Sequence, residues 1–191
     1  KNLKEYTFDD LKIELKEFVT YYIPKDKNSN FPTSKFYELW ESIFYSQNYN
    51  MKNFVHKDFE FVNLFFLENY ESHLQCGIID FQSAFKGFIG WDLISLLENP
   101  RINFTRDYND KLIEYFYDNT SIIENFNTFL EQYYVLSLAR QTRLLGRWRK
   151  LLSTNNDNKY LNYLKITKSR TIATLNNIKN YELRSIYEKY L

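Results

Sequence analysis

With 191 residues the chain is long enough for one domain with its own core, and at 44% hydrophobic and 19% aromatic content it has the material to build one. Lys and Arg number 25 against 24 Asp and Glu, a net charge of +1, which excludes bulk attraction to nucleic acid or to an anionic membrane surface. No apolar run approaches the ~20 residues that cross a bilayer, so no membrane anchor is expected and any nucleotide or sugar would be held by a local site.

Thr7-Phe8-Asp9-Asp10 reads as a helix start, with Thr7 as N-cap and Asp10 in the capping-box position. Leu11, Leu15, Phe18, Val19 and Tyr22 follow at helical spacing until Pro24 stops the run. A polar loop from Lys25 to Pro32 leads to a second amphipathic helix, starting at Thr33 or Ser34 and marked by Phe36, Leu39, Trp40, Ile43 and Phe44. The pattern then changes. Leu64-Phe65-Phe66-Leu67 and Gly77-Ile78-Ile79 are short apolar runs around a polar turn, Glu68 to Gln75, which predicts a β-hairpin. Helices return over Trp91 to Glu98, ending near Pro100, then over Asp107 to Asp118 and Ser121 to Ser153. After a loop from Thr154 to Lys159, Tyr160 to Leu191 is expected to be helical with weaker periodicity. The fold class is α+β and mostly helical, a single domain over 1–191 with a small hairpin carrying polar residues at its ends.

Those polar residues have an order with chemical content. Asp58 comes two residues after His56, Asn63 five residues further on, and Asp80 ends the second apolar run. Phosphoryl transfer needs a carboxylate to orient or deprotonate the attacking hydroxyl, and divalent metal held against the nucleotide phosphates. Asp58 is placed to be that carboxylate. A hairpin would return Asp80 beside Asn63, and a carboxylate with an amide oxygen suits Mg²⁺, which prefers hard oxygen donors. The His-x-Asp-x-x-x-x-Asn pattern is weak alone and gains weight from the strand-like runs after Asn63 and before Asp80.

His56 reads as a structural residue pinning the loop by hydrogen bonds, and no second His or Cys stands at zinc-ligand spacing. His73 falls in the hairpin turn and is expected to be solvated. Cys76, the single cysteine, is expected to be a buried, inert thiol within a strand, in keeping with a reducing, cytoplasmic setting. Arg140, Arg143, Arg147 and Lys150 share one helix face. They read as a solvated basic face or, alternatively, as guanidinium groups (Arg140, with Arg143) for a sugar carboxylate or phosphate. Trp40 and Trp148 are expected in helix packing.

At these residues the sequence resembles the aminoglycoside phosphotransferase and choline kinase superfamily. Within it the chain is most similar to the bacterial cell-wall sugar kinases that phosphorylate N-acetylmuramate or N-acetylglucosamine at the anomeric hydroxyl. The carrying segments are Phe54 to Phe59, Asn63-Leu64, Gly77 to Ala84 and Trp91 to Arg101, with a weaker match from Ala139-Arg140 to Trp148. The resemblance implies the C-terminal lobe of a protein-kinase-like fold, ATP and Mg²⁺ as cofactors, and a sugar or amino sugar as acceptor. It implies Asp58 as catalytic base, Asn63 and Asp80 as magnesium ligands, and Asp92 as a structural carboxylate behind the loop. Phe81-Gln82 in place of Phe-Gly, and the short interval from Asp80 to Asp92, favour a small-molecule kinase over a protein kinase. Glu60 stands where relatives often carry His and Trp91 where Tyr is common, which places both near the acceptor. Glu60, Gln82, Arg140 and Arg143 are the candidate substrate-binding residues.

An ATP-dependent kinase also needs a glycine-rich loop and a strand lysine over the phosphates. Glycine occurs only at 77, 87, 90 and 146, so no Gly-x-Gly-x-x-Gly exists in these residues. A nucleotide-binding lobe is therefore expected in cis or as a separate chain, and Lys1 is not expected to be a natural start. The competing readings are a non-catalytic binding or docking module descended from such kinases, and a fragment inactive without its other lobe.

Overall fold

The computed structural model describes residues 2–23, 30–102, 104–122, 124–155 and 157–191. In chain order the elements are α1 (Phe8–Glu17), which runs on into a π-helical turn (Phe18–Tyr22), α2 (Thr33–Ser46), β1 (Asn53–Val55), β2 (Leu64–Phe66), β3 (Cys76–Ile78), β4 (Phe85–Gly87), α3 (Trp91–Leu97), α4 (Arg106–Asp118), α5 (Phe126–Asn155), α6 (Asn158–Leu175) and α7 (Tyr181–Tyr190). The chain is mostly helical with small antiparallel sheets, an α+β composition. It divides into two compact units, Lys1–Tyr6 with Asn50–Ile122, and Thr7–Tyr49 with Ile123–Leu191. No helix of the described residues is long and apolar enough to cross a membrane.

The second unit is helical. Its first helix begins where the sequence predicts, because the Thr7 backbone N–H and hydroxyl both donate to the Asp10 carboxylate, at 3.0 and 2.9 Å. Leu11 and Leu15 of α1 are buried, as are Phe18, Val19 and Tyr22 in the π-helical turn. Pro24 and positions 25–29 of the expected loop lie outside the described residues. In α2 the five residues marked by spacing are the five that are buried. Phe18, Phe36 and Tyr187 pack ring to ring at 5.7–5.9 Å, which ties the π-helical turn, α2 and α7 into one aromatic core.

Three boundaries differ from expectation. Asn125 accepts the Thr128 N–H at 3.0 Å, and that cap starts α5 at Phe126 rather than at Ser121. The helix then runs to Asn155, and Asp157 caps α6 by accepting the Lys159 N–H at 2.9 Å, so Thr154, Asn155, Asn158 and Lys159 of the expected loop are helical, while position 156 lies outside the described residues. Asn180 accepts the Leu183 N–H at 2.9 Å and opens α7, which splits the C-terminal stretch in two.

The basic row of α5 packs on α1. A Cβ added at Gly146 would lie 2.2 Å from the Glu17 carbonyl carbon, so only glycine allows this crossing. On the same face Arg143 pairs with Glu14 at 3.8 Å and Arg147 with Glu17 at 2.9 Å, while the Lys150 ammonium sits 5.2 Å from the Tyr21 ring. Arg140 is buried, at 3% exposure. The expected solvated face is an ion-paired helix interface. Trp40 is fully buried, and Trp148 donates its indole N–H to the Thr167 hydroxyl at 3.1 Å, both in helix packing as expected.

The first unit holds both sheets. β1 and β4 pair antiparallel with Val55 opposite Phe85, a ribbon the sequence reading did not anticipate. Val55 and Phe85 are buried, and the Phe85 ring meets Tyr6 at 5.1 Å and Trp91 at 5.2 Å. Trp91, expected near an acceptor, is therefore core beneath this ribbon. β2 and β3 form the predicted hairpin, with Leu64 opposite Ile78 and Phe66 opposite Cys76. Phe65 and Phe66, on opposite faces of β2, are both exposed, so neither face is covered. For that reason Cys76, expected to be buried, is exposed. His73 is exposed in the turn, as expected.

Candidate active site

The chain leaves β1 at His56 and enters a loop whose course is set by polar contacts rather than regular structure. Asp92, in the first turn of α3, accepts the His56 N–H at 2.8 Å and the Lys57 N–H at 3.0 Å through its two carboxylate oxygens. Ser95, on the next turn of α3, donates its hydroxyl to the Lys57 carbonyl at 3.0 Å. Lys57 is thus held by both of its peptide groups at φ 77°, a left-handed conformation that costs a residue with a side chain about 1–2 kcal/mol. That turn delivers Asp58 as the next residue, half-buried.

The loop closes on itself. The Asn63 side-chain amide donates to the Asp58 carbonyl at 2.8 Å, the Glu60 N–H donates to the same carbonyl at 2.8 Å, and the Asn63 N–H reaches the Glu60 carbonyl at 2.8 Å. The hairpin then returns to it. Ile79 donates its N–H to the Asn63 carbonyl at 3.1 Å, and the His56 ring donates from Nε2 to the Ile79 carbonyl at 2.9 Å. A carbonyl acceptor fixes the proton on Nε2. His56 is 3% exposed, and its Nδ1 has no hydrogen-bond partner among the described residues. Asp80 follows Ile79 at φ 72°, ψ 39°, again left-handed, and accepts the Gln82 side-chain N–H at 3.0 Å. His56, Asp58, Asn63 and Ile79-Asp80 therefore lie in one connected network, with Asp92 and Ser95 behind it.

Burial pushes the Asp92 carboxyl above its ordinary pKa, and the His56 and Lys57 N–H groups pull it part of the way back. Two N–H donors aimed at a partly desolvated carboxylate make a firm anchor for the loop.

The donor set fits a magnesium ion. Asn63 spends its amide nitrogen on the Asp58 carbonyl, which leaves the amide oxygen as its acceptor, and Asp80 adds a carboxylate. Among the described residues no three His, Cys, Asp or Glu side chains converge as a metal cluster. An amide oxygen and a carboxylate are donor types that suit Mg²⁺ completed by water and phosphate, rather than zinc or a caged calcium.

The candidate acceptor residues are placed differently. Glu60 is ion-paired with Arg101, and Gln82 is turned to Asp80. Arg140 and Arg143 belong to α5 of the other unit, where Arg140 is buried and Arg143 faces Glu14. Ser95 and Arg101 were not singled out from sequence. Ser95 stands three residues after Asp92 in a helix, which puts both on one face and was a readable signal. Arg101 had none, since its partner lies 41 residues away.

No family model matches the chain. Among curated relatives, the N-acetylmuramate/N-acetylglucosamine kinase of Caulobacter vibrioides is 22% identical over 162 residues, 83% of this chain and 44% of its own length. The N-acetylmuramate/N-acetylglucosamine kinase of Neisseria meningitidis serogroup B is 24% identical over 184 residues, 88% of this chain and 53% of its own length. The chain spans about half the length of the curated relatives it matches. At these identities the likeness supports a related kinase family.

Proposed function

We propose that this chain is the catalytic lobe of a protein-kinase-like, ATP- and Mg²⁺-dependent phosphotransferase whose acceptor is a hydroxyl of a sugar or amino sugar. The observation that carries the reading is the pair of bonds from Asn63 to the Asp58 carbonyl and from Ile79 to the Asn63 carbonyl, which link the three polar positions across the sequence. In this reading Asp58 orients the acceptor hydroxyl and takes its proton as that oxygen bonds to the γ-phosphorus and the bond to ADP breaks. Asn63 and Asp80 hold Mg²⁺, which when bound neutralises charge on the nucleotide phosphates. His56, Asp92 and Ser95 fix the loop so that Asp58 needs no rearrangement. Glu60 and Gln82 flank the acceptor side. The reading does not need Arg140 or Arg143.

An amino sugar is favoured because the curated relatives are named as kinases of N-acetylmuramate and N-acetylglucosamine. No Gly-x-Gly-x-x-Gly occurs among the 191 residues, and no Val-Ala-Ile-Lys-like segment precedes the first helix. The reading therefore requires them from a lobe supplied in cis or by a separate chain. The same feature favours the second reading, a kinase-derived module that binds without catalysis.

The test is ATP consumption by the full-length protein with N-acetylmuramate, N-acetylglucosamine, hexoses, choline and aminoglycosides as acceptors. An amino sugar should stimulate consumption, and Asp58→Ala should abolish it. If no acceptor stimulates consumption, the phosphotransferase reading fails and the binding module replaces it.

A further inference from the structure

Two residues beyond Asp58, Glu60 pairs with Arg101. The Glu60 side chain is 16% exposed and that of Arg101 38%, so the cationic partner is the one that reaches water. The next residue, Phe61, meets Phe104 at 5.8 Å between ring centroids, and Phe104 meets Tyr108 at 5.2 Å. This aromatic row is open: Phe61 is 47% exposed and Tyr108 49%. Tyr108 lies in the first turn of α4, where the Thr105 hydroxyl receives its backbone N–H, so the ring is carried on a fixed element.

Exposed rings carried next in the chain to an ion-paired carboxylate offer a chemical combination suited to a pyranose. The C–H face of the sugar covers the rings, while its hydroxyls bridge a strong acceptor and a planar, multi-donor cation. The guanidinium also matches a carboxylate substituent in geometry and charge. From this placement we infer that Glu60, Phe61, Arg101, Phe104 and Tyr108 form the acceptor subsite beside Asp58. The rings stack on an amino sugar, and Arg101 favours one that bears a carboxylate over a neutral one. The inference rests on the phosphotransferase reading for the role of Asp58, while the binding surface itself is tested separately from it.

The experiment titrates the full-length protein with N-acetylmuramate, which carries a carboxylate, and with neutral N-acetylglucosamine, using calorimetry and saturation-transfer NMR. The wild type should bind both and prefer the first. Tyr108→Ala should weaken both by roughly tenfold, the value of one lost ring contact, and Tyr108→Phe should restore them. Arg101→Gln should remove the preference for the carboxylate-bearing sugar while leaving neutral binding within about threefold. Thermal unfolding of each variant checks that the fold is retained. The inference is overturned if the wild type binds neither sugar, or if Tyr108→Ala and Arg101→Gln bind as the wild type does. Phosphoryl transfer measured in parallel separates the two claims. Sugar binding with no transfer from ATP contradicts the phosphotransferase reading and leaves the subsite standing.

Discussion

The β1–β4 ribbon and the β2–β3 hairpin are both antiparallel pairs with three residues on each side. Val55 and Phe85 of the first are 1% and 7% exposed, while Phe66 and Ile78 of the second are 71% and 45% exposed. The buried ribbon, packed on Tyr6 and Trp91, hands the chain to His56. The open hairpin begins just after Asn63 and is followed by Ile79-Asp80. Their difference separates support from presentation. A loop held in a left-handed turn at Lys57 needs a fixed base, whereas in the proposed reading the groups that meet a cation and a phosphate stay open to them. The network from Asp92 through His56 to Ile79 joins the two.

The comparison can be broken from either side. In the full-length protein, Asp58→Ala should have the largest effect, a fall in phosphoryl transfer of about 10²–10⁴, measured by coupled ATP consumption, with thermal unfolding unchanged. Trp91→Ala, beneath the buried ribbon, should cost about 3–5 kcal/mol of stability by urea unfolding. Asp80→Ala should weaken Mg²⁺–ADP binding by at least about tenfold in calorimetry, while affinity for the acceptor sugar stays unchanged.

Asp92→Asn should lower transfer without unfolding the chain, because asparagine offers one acceptor oxygen to two N–H donors. It also has a signed pH signature. Burial raises the folded pKa of Asp92, so its contribution to stability is present below the ordinary carboxylate pKa and is lost as pH rises through the raised value. Relative to wild type, the variant should therefore gain stability in thermal unfolding as pH rises above the ordinary carboxylate pKa. Phe66→Ser on the open hairpin should have the smallest effect, within about 0.5 kcal/mol. A large loss there would show that the hairpin is a packed element, and the contrast between the ribbons would collapse.

The helices were legible because they are long. Phe36, Leu39, Trp40, Ile43 and Phe44 show a period of 3.6 that survives folding unchanged. The hairpin was legible from two apolar runs around one polar turn. The β1–β4 ribbon was not, because three residues carry no alternation and its strands are distant in sequence. Cys76 is exposed where its strand pattern predicts burial, because such a pattern does not show whether anything covers the strand. The row Arg143, Arg147 and Lys150 looked solvated because its partners Glu14, Glu17 and Tyr21 lie on another helix. Around the candidate site, the hairpin geometry could be read directly. Asp92 was expected behind the loop, and it holds the His56 and Lys57 N–H groups. The left-handed turns at Lys57 and Asp80 could not be read, since they depend on contacts between distant segments.

The most direct measurement replaces Mg²⁺ with Mn²⁺ in the full-length protein saturated with ADP and follows paramagnetic broadening of backbone amide signals. The account predicts that the amides of Asp58, Asn63 and Asp80 broaden together and that Asn63→Ala or Asp80→Ala reduces the effect at all three. Broadening centred elsewhere, or confined to only one of these three positions, would contradict a shared cation site.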